Sequence, residues 1–210
     1  ILFREAGKQR GTLLVVPEQG MRLQVAARDG VTQLDPQKSG VRQRGVLAFR
    51  VLETPWKLAL DINLTGTFIV ARAAARRMRD HGGGSIVNLA SVFGLVADPL
   101  SAPYAASKGA VIQLTRTCAV EWADKGIRVN AVNPGLTATE RLFEGFRAES
   151  RVNGLSMDDL LAKAQARQPM KRLPEPREIA DAVVYLASAR ASYVTGVNLT
   201  MDGALTPIVV

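Results

Sequence analysis

Tyr104 and Lys108 lie four residues apart and have complementary chemistry. In a helix this spacing places both side chains on one face. A tyrosine with an ordinary pKa of about 10 is a poor base at neutral pH, but a neighbouring ammonium favours its phenolate form. The pair therefore predicts a general acid/base that moves a proton on or off an alcohol oxygen. Tyr-x-x-x-Lys alone is also typical of an ordinary solvated helix face.

Further polar residues lie at fixed distances from this pair. Ser91 lies 13 residues before Tyr104, Asn63 lies 28 residues before Ser91, and Pro134-Gly-Leu-Thr-Ala-Thr139 follows the pair. Ser91 ends a short apolar segment typical of a strand buried in a parallel sheet, and open α/β sheets bind ligands at the carboxyl ends of such strands. Ser91 and Thr139 are also typical helix caps, and Asn63 is also compatible with a mid-helix polar residue bonded to helix backbone.

The elements that must position these residues alternate between helix and strand from Glu53 onward. Prolines near the helix starts and glycines after the first helix mark the boundaries. We expect a substrate loop within residues 140–170, after the second strand, whose apolar residues suit a lid. The order predicts an α/β fold with a doubly wound parallel sheet, Rossmann-like. We predict helices over 53–79, 103–124 and 175–188, and strands over 85–91, 128–133 and 197–202.

Composition excludes several other classes of protein. The chain has 210 residues, 47% of them hydrophobic and 22% charged, which indicates one globular domain. Its single cysteine, Cys118, and single histidine, His81, argue against a disulfide framework and a histidine metal site, so we expect no metal.

Charge and hydropathy narrow the expected partners further. The net charge of +8 raises the question of nucleic acid, but the main basic cluster lies on a predicted helix face without interleaved aromatic residues, so we expect no nucleic-acid partner. No uninterrupted apolar run reaches the roughly 18 residues of a membrane span, and the chain opens without the pattern of a signal peptide. We therefore expect no membrane partner and a cytoplasmic location.

Four motifs follow one another along the chain. They are Gly84-Ser-Ile-Val-Asn-Leu-Ala-Ser91, Tyr104-Ala-Ala-Ser-Lys108, Arg128-Val-Asn-Ala-Val-Asn-Pro-Gly135 and Tyr193-Val-Thr-Gly-Val-Asn-Leu-Thr-Met-Asp-Gly203. In this order they resemble the short-chain dehydrogenase/reductase family, of the type that includes 3-oxoacyl-carrier-protein reductases. The resemblance extends from about residue 55 to the end of the chain, and it implies an NAD(P)-dependent oxidoreductase that interconverts a secondary alcohol and a ketone by hydride transfer.

The resemblance implies four catalytic residues. Tyr104 would be the acid/base, and Ser91 would hydrogen-bond the reacting carbonyl oxygen. Lys108 would lower the pKa of Tyr104, and both Lys108 and Tyr104 would contact the cofactor, with Lys108 on the nicotinamide ribose. Asn63, at a break in its helix, would hold a water that passes protons on from Lys108.

The cofactor site is only partly recognisable. The resemblance implies that Leu136, by its backbone, and Thr139 fix the nicotinamide carboxamide. The family's glycine-rich turn has its nearest match at Gly7 and Gly11, but leucine stands in place of the third glycine. Arg28, at the end of a predicted strand over 21–27, favours NADP over NAD, although an exposed loop arginine fits equally well.

The amino-terminal region departs from the family. Too few residues separate Arg28 from Asn63 for the family's third and fourth strands, and omission of the fourth would leave a gap at the centre of the sheet. We therefore interpret residues 1–52 as a degraded remnant of the dinucleotide-binding half. Residues 53–210 would be the catalytic half of the same Rossmann-like domain.

Two functions stay open. The chain is an active oxidoreductase, or it is a catalytically silent relative or oligomer partner that cannot hold the cofactor. In both cases the resemblance implies a homo-oligomer, a tetramer built on the two long helices and the last strand.

Overall fold

The computed structural model describes residues 2–5, 53–98 and 101–206. Within them, every helix and strand predicted from residue 53 onward is present, with ends shifted by a few residues. The strands are β1 (Leu2–Glu5), β2 (Gly84–Leu89), β3 (Ile127–Pro134) and β4 (Asn198–Met201). The α-helices are α1 (Glu53–Ala59), α2 (Gly66–Arg79), α3 (Ala102–Trp122), α4 (Glu140–Asn153), α5 (Met157–Arg167) and α6 (Pro176–Ala187).

The strands form one sheet in the order β1-β2-β3-β4. β2 pairs with β3, and β3 with β4, both in parallel; Leu89 lies opposite Val132, and Asn133 lies opposite Thr200. The helices α3 and α6 are the crossovers between these strands. The prediction of a doubly wound parallel sheet is confirmed for this part of the chain.

β1 departs from that prediction, because it runs antiparallel to β2. Leu2 lies opposite Val87 and Glu5 opposite Gly84, so β1 pairs along the edge of β2 that faces away from β3. β1 also ends at the amino edge of the sheet, whereas the predicted site lies at the carboxyl edge. The predicted strand over 21–27 and the candidate residues Gly7, Gly11 and Arg28 lie outside the described residues.

α1 and α2 are joined by a π-helical segment, Leu60–Thr65, so the first long helix is continuous but irregular. A π-helical turn carries one residue more than an α-helical turn and is frequent at functional sites. Asn63 lies inside this segment, at the helix break that the family resemblance implies. After α2, a Cβ on Gly83 would lie 2.3 Å from the carbonyl oxygen of Gly126, so only glycine fits where the two turns meet.

The core has two layers, one on each face of the sheet. α2 and α3 cover one face, where Ala71, Met78 and Cys118 pack on Ile86 and Val129. α6 covers the other face, where Ile179 and Leu186 pack on Val87 and Val132. The single cysteine is therefore a core residue, and its burial raises the pKa of the thiol to about 11.

In the part of the chain that the structure describes, one helical stretch, Trp56–Arg79, is long and apolar enough to cross a membrane. The expectation from uninterrupted apolar runs did not include it, because arginines punctuate the segment. Only 17% of its most apolar window is buried. Length and composition alone are weak evidence for a membrane span. The buried face of α2 is that of a helix packed on a sheet, and it consists of Ala71, Ala74, Ala75 and Met78.

The predicted lid over 140–170 is not a simple loop but two helices, α4 and α5. Thr139 and Ser156 cap them by accepting bonds from the backbone N–H groups of Leu142 and Asp159. Gly154, with φ of 70°, ends α4. The apolar residues of this segment are therefore divided between helix faces, with Leu160 and Ala164 buried on α5.

Candidate active site

Ser91 lies two residues beyond the end of β2, at the carboxyl edge of the sheet. Its hydroxyl accepts a bond of 3.3 Å from the N–H of Phe93 and caps a short 3-10 helix, Val92–Gly94. The side chain is almost buried, with 6% of its surface exposed. Since a hydroxyl that accepts one bond still carries its own proton, capping leaves Ser91 able to donate to a substrate oxygen.

Tyr104 and Lys108 lie on one face of α3, in its first two turns. The Lys108 Nζ lies 5.5 Å from the centre of the Tyr104 ring and donates a bond of 3.0 Å to the carbonyl oxygen of Leu89. Lys108 is only 3% exposed. A buried ammonium is costly unless hydrogen-bonded, and the last carbonyl of β2 supplies that bond, so the cation is anchored at the carboxyl edge.

Two glycines hold the Ser91 segment against α3. A Cβ on Gly94 would lie 2.7 Å from the backbone carbon of Lys108 and 2.8 Å from the nitrogen of Gly109. The 3-10 helix capped by Ser91 therefore touches the backbone of α3 at Lys108. This contact fixes the separation of Ser91 and Lys108. The sequence reasoning missed both glycines; the available signal was a glycine inside a helical pattern, which often marks close packing.

Asn63 contacts the same turn of α3 through Ser107, a residue that the sequence analysis did not single out. Its Nδ2 donates to the hydroxyl of Ser107 at 2.9 Å, and that hydroxyl donates to the Tyr104 carbonyl oxygen at 2.7 Å. The Asn63 carbonyl oxygen accepts from Thr67. The Asn63 amide therefore bonds a side chain rather than helix backbone, and it ties the π-helical segment to the turn that carries the tyrosine.

The turn after β3 is packed against the carboxyl-terminal segment. A Cβ on Gly135 would lie 2.8 Å from the Cβ of Asp202, and the Gly135 N–H donates to the carbonyl oxygen of Met201 at 3.0 Å. Leu136 lies on this turn and is 36% exposed. Thr139 caps α4, which is the alternative that the sequence left open for it, and its hydroxyl proton stays available to a ligand.

These groups fit the nicotinamide end of a dinucleotide. An ammonium and a phenol on one helix face, a serine hydroxyl and an open turn with Leu136 supply donors for hydroxyl and carboxamide groups. No group of three or more His, Cys, Asp and Glu side chains within residues 2–5, 53–98 and 101–206 is arranged to hold a metal ion. The Ser91 hydroxyl and the Tyr104 phenol can bind an alcohol or carbonyl oxygen, and the phenol can exchange a proton with it.

Comparison with known proteins decides the family. The profile of the family described as "Enoyl-(Acyl carrier protein) reductase" matches residues 41–206. The chain belongs to the short-chain dehydrogenase/reductase family. Among curated relatives, "Glucose 1-dehydrogenase 2" of Bacillus subtilis (strain 168) is 40% identical over 152 residues, which are 72% of this chain and 55% of that protein. "Inactive 2-(S)-hydroxypropyl-CoM dehydrogenase 2" of Xanthobacter autotrophicus (strain ATCC BAA-1158 / Py2) is 37% identical over 180 residues, 83% of this chain and 76% of that protein.

Solved structures similar to this short-chain dehydrogenase/reductase include cofactor complexes. "ElxO with NADP Bound" is 35% identical with a TM-score of 0.60, over 68% of this chain and 54% of that chain. "4-hydroxyisoleucine dehydrogenase complexed with NADH" is 36% identical with a TM-score of 0.62, over 70% and 57%. The chain thus spans between about half and three-quarters of the length of these relatives. The resemblance stated from the motifs is confirmed as family membership.

Proposed function

We propose that this chain is an NAD(P)-dependent oxidoreductase that interconverts a secondary alcohol and a ketone, with Tyr104 as acid/base. The observation that carries the proposal is the buried Lys108 ammonium, anchored on Leu89 and 5.5 Å from the Tyr104 ring. A positive charge beside a phenol favours the phenolate form. A phenol that gives up its proton easily is the acid/base this reaction needs.

In the reducing direction, a nicotinamide dinucleotide held at this site would supply the hydride for the carbonyl carbon. The Tyr104 hydroxyl donates its proton to the carbonyl oxygen, and the Ser91 hydroxyl donates a hydrogen bond to the same oxygen. The Lys108 ammonium stabilises the phenolate that remains. Asn63 holds the first turns of α3 through Ser107 and, by family analogy, a water that returns a proton by way of Lys108.

For the cofactor, we propose that Lys108 and Tyr104 hold the nicotinamide ribose, and that the Leu136 backbone and Thr139 hold the carboxamide. Relatives bound to NADP and to NADH are both known, so use of a nicotinamide dinucleotide is common to the family. NADP is preferred if Arg28 pairs with the 2′-phosphate. Binding constants for NADPH and NADH, measured with the wild type and Arg28→Ala, test this preference: loss of NADPH binding alone supports it, and equal loss of both contradicts it.

Tyr104→Phe tests the proposed chemistry directly. The variant keeps the ring and loses the proton, so we expect turnover of a panel of secondary alcohols to fall below detection while the melting temperature stays within about 2 °C of the wild type. Steady-state absorbance of NADPH and thermal unfolding are the two measurements. Unchanged turnover in a folded variant would refute the acid/base assignment.

A catalytically silent relative is the second candidate, favoured by two observations. A relative that matches 83% of this chain carries the word "Inactive" in its name. In addition, β1 ends at the amino edge of the sheet, at Glu5 opposite Gly84, so the chain leaves it on the side away from Ser91 and Lys108. Titration of NADPH, followed by its fluorescence, separates the candidates: no binding at millimolar concentration favours the silent relative.

We also propose that residues 1–52 are the remnant of the dinucleotide-binding half, that residues 53–210 are the catalytic half, and that the protein is a homotetramer. Exposed apolar side chains on the first long helix support self-association: Trp56 is 42% exposed, and Ile62, Phe68 and Ile69 are exposed as well. A second set lies on and after α6, namely Val184, Tyr185, Tyr193 and Val197. Sedimentation equilibrium tests the assembly, and a single species of 22.6 kDa would contradict it.

A cytoplasmic location without nucleic-acid or membrane partners stays a prediction from the sequence. Fractionation of cells that produce the protein tests the location. DNA retention across a salt series tests nucleic-acid binding, which would show a steep salt dependence. Retention of the protein with the membrane fraction would contradict the predicted absence of a membrane partner.

A further inference from the structure

The proposed mechanism leaves one buried side chain on β3, Asn133, without a role. Asn133 is 0% exposed, and neither its Nδ2 nor its Oδ1 has a hydrogen-bond partner among the described residues. An amide buried without bonds is less favourable than an apolar side chain of the same size. Asparagine at this position therefore lowers the stability of the fold unless a ligand supplies the missing hydrogen bonds.

The alternation along β3 shows which face Asn133 occupies. Val129 packs with Cys118 of α3, and Ala131 packs with Val111 of the same helix, whereas Val132 packs on the α6 side. Since side chains alternate with period two, Asn133 faces α3. It lies one step closer to the carboxyl edge than Ala131, toward the beginning of α3, where Ser107 and Lys108 lie.

Two other asparagines on this face are also incompletely bonded. Asn88 of β2 and Asn198 of β4 both lie opposite Ala131 in the sheet register. The Oδ1 of each has no partner in the described part of the chain, although the Asn88 Nδ2 donates to Thr115 at 2.9 Å. Asn88 and Asn198 thus flank Ala131, and Asn133 follows it by two residues on the same face. Their unbonded amide oxygens and the Asn133 NH2 group are the kind of polar groups that an internal water binds, typically three at a time.

We propose that Asn133 is a positioning residue that binds an internal water on the α3 face of the sheet. Through this water it fixes the adjoining Pro134–Gly135 turn, which is already held from the other side by Met201 and Asp202. The proposal of a bound water does not depend on the proposed oxidoreductase activity, because it follows from the burial and unmade bonds of Asn133. Its consequence for cofactor affinity rests on the proposed function, in which Leu136 of this turn holds the nicotinamide carboxamide.

A matched pair of variants, Asn133→Leu and Asn130→Leu, tests the proposal. Asn130 lies on the same strand but on the α6 face, where its Nδ2 donates to the Val194 carbonyl oxygen at 2.9 Å and its Oδ1 accepts from the N–H of Val197 at 3.1 Å. We expect Asn130→Leu to lower the melting temperature by more than about 4 °C, or to prevent folding, because both backbone groups lose their partner. Asn133→Leu keeps or raises the melting temperature, because leucine replaces an amide and its water by an apolar side chain of similar size.

The same Asn133→Leu variant is expected to bind NADPH about tenfold more weakly, because the turn that holds the carboxamide is displaced. Asn133→Ser recovers part of that loss, since its hydroxyl can hold the water. A crystal structure of the full chain at high resolution is expected to show a water within hydrogen-bond distance of the Asn133 amide.

Three results overturn the proposal. They are a fall in melting temperature for Asn133→Leu as large as that for Asn130→Leu, an Asn133 amide without a water in the crystal structure, and wild-type NADPH affinity in Asn133→Leu. A wild-type chain that binds no NADPH is a different result: it rejects the proposed function, while the crystal structure and melting temperatures still decide whether Asn133 holds an internal water.

Discussion

The two faces of the sheet differ in how completely their buried polar side chains are hydrogen-bonded. On the α6 face, Ser85, Arg128 and Asn130 bond to backbone carbonyls, and Asn130 also accepts from a backbone N–H. On the α3 face, Ser107 and Thr115 also donate to backbone carbonyls, but the Oδ1 of Asn88 and both polar atoms of the Asn133 amide have no partner among the described residues. A polar side chain that is fully bonded to backbone holds elements together. A buried amide with bonding capacity left, such as that of Asn133, can bind a ligand.

Arg128 shows the structural role most clearly. Its guanidinium donates to the carbonyl oxygens of Leu186 and Ser188 at the end of α6, at 2.9 and 3.1 Å, and to that of Val194 at 3.1 Å. A cation at the carboxyl end of a helix is favourable because the unpaired carbonyls there carry partial negative charge. Burial lowers the pKa of Arg128, yet an arginine remains charged in proteins. This side chain therefore attaches α6 and the segment after it to β3.

The largest expected effect comes from Lys108→Met on the α3 face. The variant keeps the length of the side chain and loses the charge, so we expect kcat/KM to fall by at least about 100-fold. The melting temperature should change little, because removal of a buried charge relieves its desolvation. Initial rates and thermal unfolding check both parts, and a variant that is unstable but fully active per folded molecule would place Lys108 with the structural residues.

Arg128→Met on the α6 face should behave in the opposite way. Loss of three charge-assisted bonds is expected to cost about 2–4 kcal/mol of unfolding free energy, measured by urea denaturation. Turnover per folded molecule should stay within about twofold of the wild type, because no substrate or cofactor group contacts this face in the proposed site. Arg190→Met, which removes an exposed arginine of the neighbouring turn, is the control for loss of one positive charge.

Thr139 sharpens the comparison because it combines both roles. As a cap it stabilises α4, and Thr139→Ala is expected to cost about 1 kcal/mol. If its hydroxyl also donates to the nicotinamide carboxamide, the variant binds NADPH more weakly than this loss of stability explains. Thr139→Ser keeps the hydroxyl and should restore both values. Weakened stability with unchanged NADPH affinity would leave Thr139 as a cap only.

The smallest effect is expected at the exposed start of α6, where hydrogen bonds from Arg172 and from the backbone N–H of Glu175 lower the pKa of Glu178 to about 2. The folded-state pKa of this carboxyl lies below its ordinary value of 4.5. The carboxylate therefore stabilises the folded protein at pH values above 4.5, and this stabilisation is lost as the pH falls toward about 2. Glu178→Gln should therefore flatten the fall of melting temperature between these pH values. Asp181→Asn on the same helix controls for loss of one negative charge, and identical curves for the wild type and Glu178→Gln would contradict the expectation.

The sequence was sufficient for the elements that follow strong local rules. Pro103 and Gly126 bracket the α3 region, and the apolar run before Ser91 has the composition of a strand buried on both faces. The two lid helices also had a local signal that was overlooked, since Ser156 and Asp159 stand three residues apart as in a helix cap. Their prediction as part of a loop was wrong for that reason.

Other features depend on tertiary contacts and leave no local signal. β1 has four residues and is a strand only because β2 offers it an edge. The contact of Gly94 with α3 and the bond from Asn63 to Ser107 join segments 15 and 44 residues apart. Likewise, Asn130 and Asn133 are the same residue type on the same strand, and only the packing distinguishes the bonded amide from the unbonded one.

The antiparallel pairing of β1 has a consequence for colloidal behaviour. An open strand edge is a template on which a second molecule can add its own strand, and apolar strands such as the Ile86–Val87 region of β2 are the most prone to this. β1 covers that edge from Leu2 to Glu5. Removal of these few residues would take this cover from β2, so the short strand acts as a guard against aggregation.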